Sequence, residues 1–69
     1  MKLHFSRGDD KIHSIDVDVG LTDAVTLAVF GSMEVNLDAR TEALHIANAL
    51  RAEPSKPYLL GRGWLSVEQ

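Results

Sequence analysis

Leu3 and Phe5 alternate with Lys2, His4 and Ser6, which is the period-two pattern of a strand with one apolar face. After the turn signal Gly8-Asp9-Asp10 the alternation resumes, with Ile15, Val17 and Val19 set against Ser14, Asp16 and Asp18. A hairpin follows from this, and its register can be chosen by asking which pairing keeps one face apolar. A two-residue loop would oppose Phe5 to Ser14, whereas a three-residue loop sets Phe5 beside His13, Leu3 beside Ile15 and Lys2 across from Asp16. The second register is expected, at the expense of leaving Ile12 on the polar side near the turn.

The next stretch, AVTLAVFGSMEVNLD at 24–38, supports a second hairpin. With a loop at Phe30-Gly31-Ser32, Val29 pairs with Met33, Leu27 with Val35 and Val25 with Leu37, giving one continuous apolar face. A short helix over 23–30, capped by Thr22 and stopped by Gly31, competes for the same residues, because Leu21, Val25 and Ala28 also fit a helical stripe. The strand is preferred, since Val, Thr and Phe lose rotamer freedom in a helix.

From Asp38 the period becomes helical. Asp38 is the expected N-cap of a helix over 39–52, with Ala39, Ala43, Ile46, Ala47 and Leu50 on its buried face, Leu44 flanking them, and Thr41, His45, Asn48 and Ala52 opposite. Glu53-Pro54 ends it, because the residue before a proline is pushed out of helical geometry. Beyond the linker-like EPSKP, two glycines around Arg62 interrupt KPYLLGRGWLSVEQ, and a short edge strand is expected at 64–67. Residues 1–69 therefore read as a single α+β domain: an antiparallel sheet of four or five strands with one helix on its apolar face.

Composition limits what this domain does. Apolar residues make up 45% and charged residues 25% of the 69 residues, too hydrophobic for disorder and small enough to leave a thin stability margin. There is no cysteine, so neither disulfides nor thiolate metal sites brace the core, and a partner subunit is a natural source of further stability. No stretch approaches the ~18 apolar residues of a membrane span, and MKLHFSRGDD lacks the apolar run of a signal peptide. A soluble, cytoplasmic protein is expected, with no membrane partner. The formal charge of −3 argues against binding phosphate backbones and is compatible with meeting a basic protein surface.

The candidate chemistry is sparse. Asp16, Asp18 and Asp23 surround Gly20 in IDVDVGLTD, a fragment of a calcium-loop pattern, but the glutamate such a loop needs beyond its glycine is replaced by Thr26. On a strand Asp16 and Asp18 point the same way, roughly 7 Å apart at a rise of ~3.3 Å per residue, so a solvated strand face is expected rather than a metal or catalytic site. The expected placements of His4 on the polar face, His13 near Phe5 and His45 on the helix's solvent side do not converge. The serines lack a strained elbow, and Gly61-Arg62-Gly63 leads towards a strand rather than a helix N-terminus. The expectation is a non-enzymatic protein with no cofactor and no metal.

Two features remain for partner binding. Trp64, with Arg62 beside it, is either the closure of the core or an exposed docking anchor. Asp16, Asp18, Glu34, Asn36 and Asp38 would share the polar sheet face with Lys2 as the one assigned cation, forming an acidic platform that steers onto a basic surface. The candidate partner-binding residues are thus Asp16, Asp18, Glu34, Asp38, Arg62 and Trp64.

The run VTLAVFGSMEVNLDARTEALHIANALRA resembles, in architecture, tiny accessory proteins of bacteriophages and prophages. Among these, the anti-CRISPR inhibitors are similar in size, lack of cysteine and acidity. The resemblance implies a cytoplasmic protein of a bacterial host that binds a CRISPR surveillance complex and blocks DNA engagement, acting as a monomer or weak homodimer. These inhibitors share no motif, so no residue role carries over by position. Two other functions fit the same residues: an antitoxin-type or regulatory subunit that binds a neighbouring-gene partner, and a small metal-dependent enzyme using Asp16, Asp18 and Asp23.

Overall fold

The computed structural model describes residues 1–68. Two strands open the chain, β1 (Lys2–Ser6) and β2 (His13–Asp16), followed by a 3-10 turn at Val17–Val19. Two helices come next, α1 (Leu21–Phe30) and α2 (Leu37–Ala52), and the chain closes with β3 (Tyr58–Leu60) and β4 (Gly63–Glu68). The four strands form one antiparallel sheet in the order β2-β1-β4-β3. The α+β class and the strand count are as the pattern predicts.

The first hairpin has the expected register, with Lys2 opposite Asp16, Leu3 opposite Ile15 and Phe5 opposite His13. Keeping the apolar face whole selects that pairing, and the Phe5 and His13 rings stack with centroids 5.2 Å apart. The strand stops earlier than the alternation suggests. Val17 and Asp18 lie in the 3-10 turn rather than on β2, so Asp16 and Asp18 do not share a strand face, and the side chain of Val19 lies outside the described residues.

The second expected hairpin is absent, and α1 takes its place. Leu21, Ala24, Val25 and Ala28 are all buried, and their spacing of i, i+3, i+4, i+7 is that of a helical stripe. Pleating the same segment would have put Ala24 and Ala28 on the polar side and given the core fewer contacts. Thr26, fully buried, donates its hydroxyl to the carbonyl of Thr22 at 2.8 Å, so the residue that favoured a strand is satisfied inside a helix. Gly31 ends α1 at φ 73, with its N–H on the carbonyl of Leu27. That left-handed cap is open to glycine without a Cβ penalty.

The second helix begins two residues before its expected start. Asn36 is the N-cap, its side-chain oxygen accepting from the N–H of Ala39 at 2.8 Å, while Asp38 sits in the first turn. Ala43, Ile46, Ala47 and Leu50 are buried as the stripe predicts, Ala39 is half-buried, and Leu44 is exposed. Both helices therefore cover one face of the sheet, instead of the single helix expected.

The C-terminal strand is central rather than an edge. Its residues pair with β1 on one side, Leu65 with Phe5 and Val67 with Leu3, and with β3 on the other. The hairpin β3–β4 turns through Gly61 and Arg62 alone, with Gly61 at φ 59, which is the tight connection that two-residue hairpins favour. Gly63 is required for a different reason: a Cβ there would overlap the carbonyl of Ser6.

The placement of the cap and of Gly63 yields two expected results. Asn36→Ala should lower unfolding free energy by about 1 kcal/mol, with Asp38→Ala costing about half that through the helix dipole alone. Gly63→Ala should cost about 1–3 kcal/mol by overpacking the β1–β4 seam. Urea unfolding monitored by circular dichroism reads all three.

Candidate binding face

Because side chains alternate along each strand, the residues that do not meet the helices form a second, uncovered face. Lys2, His4 and Ser6 of β1 lie there, together with Ser14 and Asp16 of β2, Trp64, Ser66 and Glu68 of β4, and Leu59 of β3. Cross-strand pairing sorts them by chemistry. Lys2 sits between Asp16 and Glu68 at one end, His4 between Ser14 and Ser66 in the middle, and Trp64 between Ser6 and Leu59 at the other end.

His4 of the middle row bonds to both neighbouring strands, directly to Ser14 and diagonally to Glu68 of the end row. His4 Nε2 lies 3.0 Å from Glu68 Oε2, and Nδ1 lies 2.7 Å from Ser14 Oγ. With Nε2–H donating to the carboxylate, Nδ1 accepts from the serine hydroxyl. The order hydroxyl, imidazole, carboxylate matches that of nucleophilic relays. However, the backbone N–H groups of β2 lie in the plane of the sheet and do not point to the side where Ser14 Oγ stands, so the strand offers no oxyanion donors above it. The network is a polar clamp joining β2, β1 and β4.

The same contacts hold the Glu68 carboxyl below its ordinary value of 4.5, chiefly through the His4 hydrogen bond and charge, helped by Lys2 and the amino terminus. A carboxylate depressed in this way adds stability that is fully present above its ordinary value and is lost as pH falls through the depressed one.

The polar face differs from the acidic platform expected of it. Asp16 is on the sheet and Asp18 just beyond it, but Glu34 and Asn36 precede α2 and Asp38 lies in its first turn. The platform depended on the second hairpin and is dispersed with it. Asp23 is on α1, where its carboxylate accepts from Arg40 at 2.9 Å and ties the two helices together. Among the described residues no group of three or more His, Cys, Asp or Glu side chains gathers as a metal site. His13 stacks on Phe5, and His45 is exposed on α2, as expected.

Trp64 is half-buried and stands apart from the residues packed on the helix-side core. Leu59, 75% exposed, is its neighbour across the strand. Together with Pro57 and Ser66 these side chains frame a shallow apolar hollow. Pro57 and Leu59 are not expected there, because the pattern predicts only one strand beyond residue 57; the missed signal is Gly61-Arg62 between YLL and GWL, which suits a two-residue hairpin. Arg62 is exposed in that turn.

Comparison with protein-family models, curated proteins and solved structures finds no match. The geometry of the face is therefore what bears on function.

In an NMR titration Glu68 should show a midpoint below 4.5, and His4→Gln should move it upward towards that value. A Glu68 midpoint unaffected by the His4 change would remove the clamp as its cause.

Proposed function

We propose that this chain is a small non-enzymatic protein-binding module that docks through its uncovered sheet face, with Trp64 as the anchor. The observation that carries this is the position of the one tryptophan on the side opposite both helices, beside a leucine that is 75% exposed. Tryptophan and arginine dominate interface energetics because they combine large contact area with directed polar contacts, and an apolar hollow rimmed by polar strands is the form such a patch takes.

The finer reading is inhibition of a bacterial CRISPR surveillance complex. Small size, a net charge of −3 and exposed Asp16 and Asp18 next to the face support it, since an acidic chain is drawn towards a surface built to hold nucleic acid. In this scheme Asp16, Asp18 and Glu68 speed encounter, whereas Trp64 and Leu59 hold the complex. The alternative, an antitoxin-type subunit dimerising through a sheet edge, has less support. The edge strands β2 and β3 are four and three residues long, and short edges discourage edge pairing.

Expression in CRISPR-immune bacteria should restore plating of a targeted phage. Trp64→Ala should reduce the restored plating by tenfold or more without loss of circular dichroism signal, because Trp64 lies outside the core cluster. Reversing Asp16 and Asp18 to lysine should cost less at high salt than at low salt when binding to the captured complex is measured. Full restoration by the Trp64→Ala protein would reject the face as the docking surface, and no restoration in any CRISPR type would reject the inhibitor.

A further inference from the structure

Both sheet hairpins deliver an arginine to the same end of the molecule. Gly8 of the first connection approaches the second so closely that a Cβ on it would lie 2.9 Å from Cβ of Arg62. Gly63, lacking a side chain, lets β4 close against the end of β1. These two approaches bring Arg7 and Arg62 to the rim of one cleft of about 210 Å³ between the sheet end and the last turn of α1. Its walls are apolar, formed by Phe5, Ala28, Val29, Leu60 and Leu65, and Trp64 borders it.

Arg7 is positioned. Its guanidinium lies 5.5 Å from the centroid of the Phe5 ring and donates one N–H to the carbonyl of Ala28 at 3.4 Å. A guanidinium has five N–H donors, so most of its fork is unused. The chain has ten acidic against seven basic residues, yet neither Arg7 nor Arg62 has an ion-pair partner among the described residues. Two exposed arginines without ion-pair partners at the rim of an apolar wall form a carboxylate receptor, because each guanidinium suits bidentate bonding to a carboxylate. The volume suits an amino-acid side chain and is below the ~300 Å³ at which sites for drug-sized ligands begin.

We propose that this cleft takes a partner's peptide segment in which a leucine-sized side chain stands next to a carboxylate: the apolar group enters between Phe5 and α1, and the carboxylate is held by Arg7 and Arg62. This deepens the docking function proposed above and rests on it for the identity of the ligand as a protein. The two ends of the sheet then have opposite charge, with the arginine cleft on the helix side, against α1, rather than on the uncovered face. Asp16 and Glu68 favour cations at one end, the arginines favour an anion at the other, and a partner is fixed in one orientation.

Occupancy is read as a saturable change in the heat of an isothermal calorimetric titration. The probe is a blocked peptide with a central leucine flanked by two glutamates, titrated into the purified chain. A saturable change is expected, with binding about tenfold weaker for the glutamine-flanked peptide and about tenfold weaker again in Arg62→Gln, the loss expected of a charged hydrogen-bonded pair. Arg7→Gln should act likewise; if removing its bond to Ala28 unfolds the end of α1, Arg62→Gln alone decides. Equal affinity for the glutamate and glutamine peptides, no saturable change, or wild-type affinity in Arg62→Gln would overturn the proposal. The plating assay separates the two ideas: a silent cleft with Trp64-dependent inhibition removes the cleft alone. Charge-dependent peptide binding with Trp64-independent inhibition keeps the cleft and removes the docking face.

Discussion

Close packing between two short helices governs the rest of this fold. Ala24 and Ala28 of α1 and Ala43 and Ala47 of α2 are all at most 3% exposed, and side chains this small let helix axes approach to the lower end of the ~8–10 Å range. Four strands spaced ~4.8 Å apart present a surface about as wide as two such helices side by side. The pair therefore covers most of one face of the sheet, α1 meeting β1 and β2 while α2 meets β3, and leaves the cleft at the sheet's end open. A larger residue at any of these four positions would spread the helices and uncover the strands at one edge. Ile46, Leu50, Leu3 and Val25 fill what remains, each contributing about 1.5–3 kcal/mol by burial.

That constraint also explains which elements were readable. The register of β1 and β2 followed from one demand, an unbroken apolar face, and local pattern satisfies it. The stripe of α2 runs over four turns, long enough for the helical period to exclude the strand period. Residues 24–30 are different: Val25, Leu27 and Val29 alternate, while Leu21, Ala24, Val25 and Ala28 form a stripe, and nothing within the segment decides between them. The decision comes from the alanines, which are poor strand residues but good contact surfaces for a second helix. Their role exists only once α2 is in place. Tertiary packing overrode a local preference of Val and Thr.

The candidate site was legible to a similar degree and for related reasons. Arg62 and Trp64 stand out by residue type, and the structure leaves both accessible. The acidic set was a consequence of the wrong hairpin, so Glu34 and Asp38 moved to the helix side of the molecule while Asp16 kept its place. The cleft under Arg7 and the Glu68 arm of the clamp were invisible beforehand, because each needs β4 beside β1, a pairing between opposite ends of the chain, whereas His4 opposite Ser14 follows from the first register. Long-range pairing leaves no mark in the spacing of neighbours.

The position of Trp64 has an energetic side. A chain of this length buries only about 60% of the surface its unfolded form exposes, less than larger domains do, and its largest apolar side chain would add stability if it packed under the helices. Its parity on β4 is fixed by Leu65 and Val67, which oppose Phe5 and Leu3. A one-residue slip would bring Trp64 inward but turn those two residues out, and a tryptophan would force apart helices that alanines hold close. Stability of the core and exposure of the tryptophan are thus two results of one register. A side chain that the core has no room for is kept half-buried against Leu59 and Pro57, where an apolar patch favours occupancy by another molecule. In the proposed docking, the arginines of the cleft beside α1 and the carboxylates at the far end of the sheet set the partner's orientation.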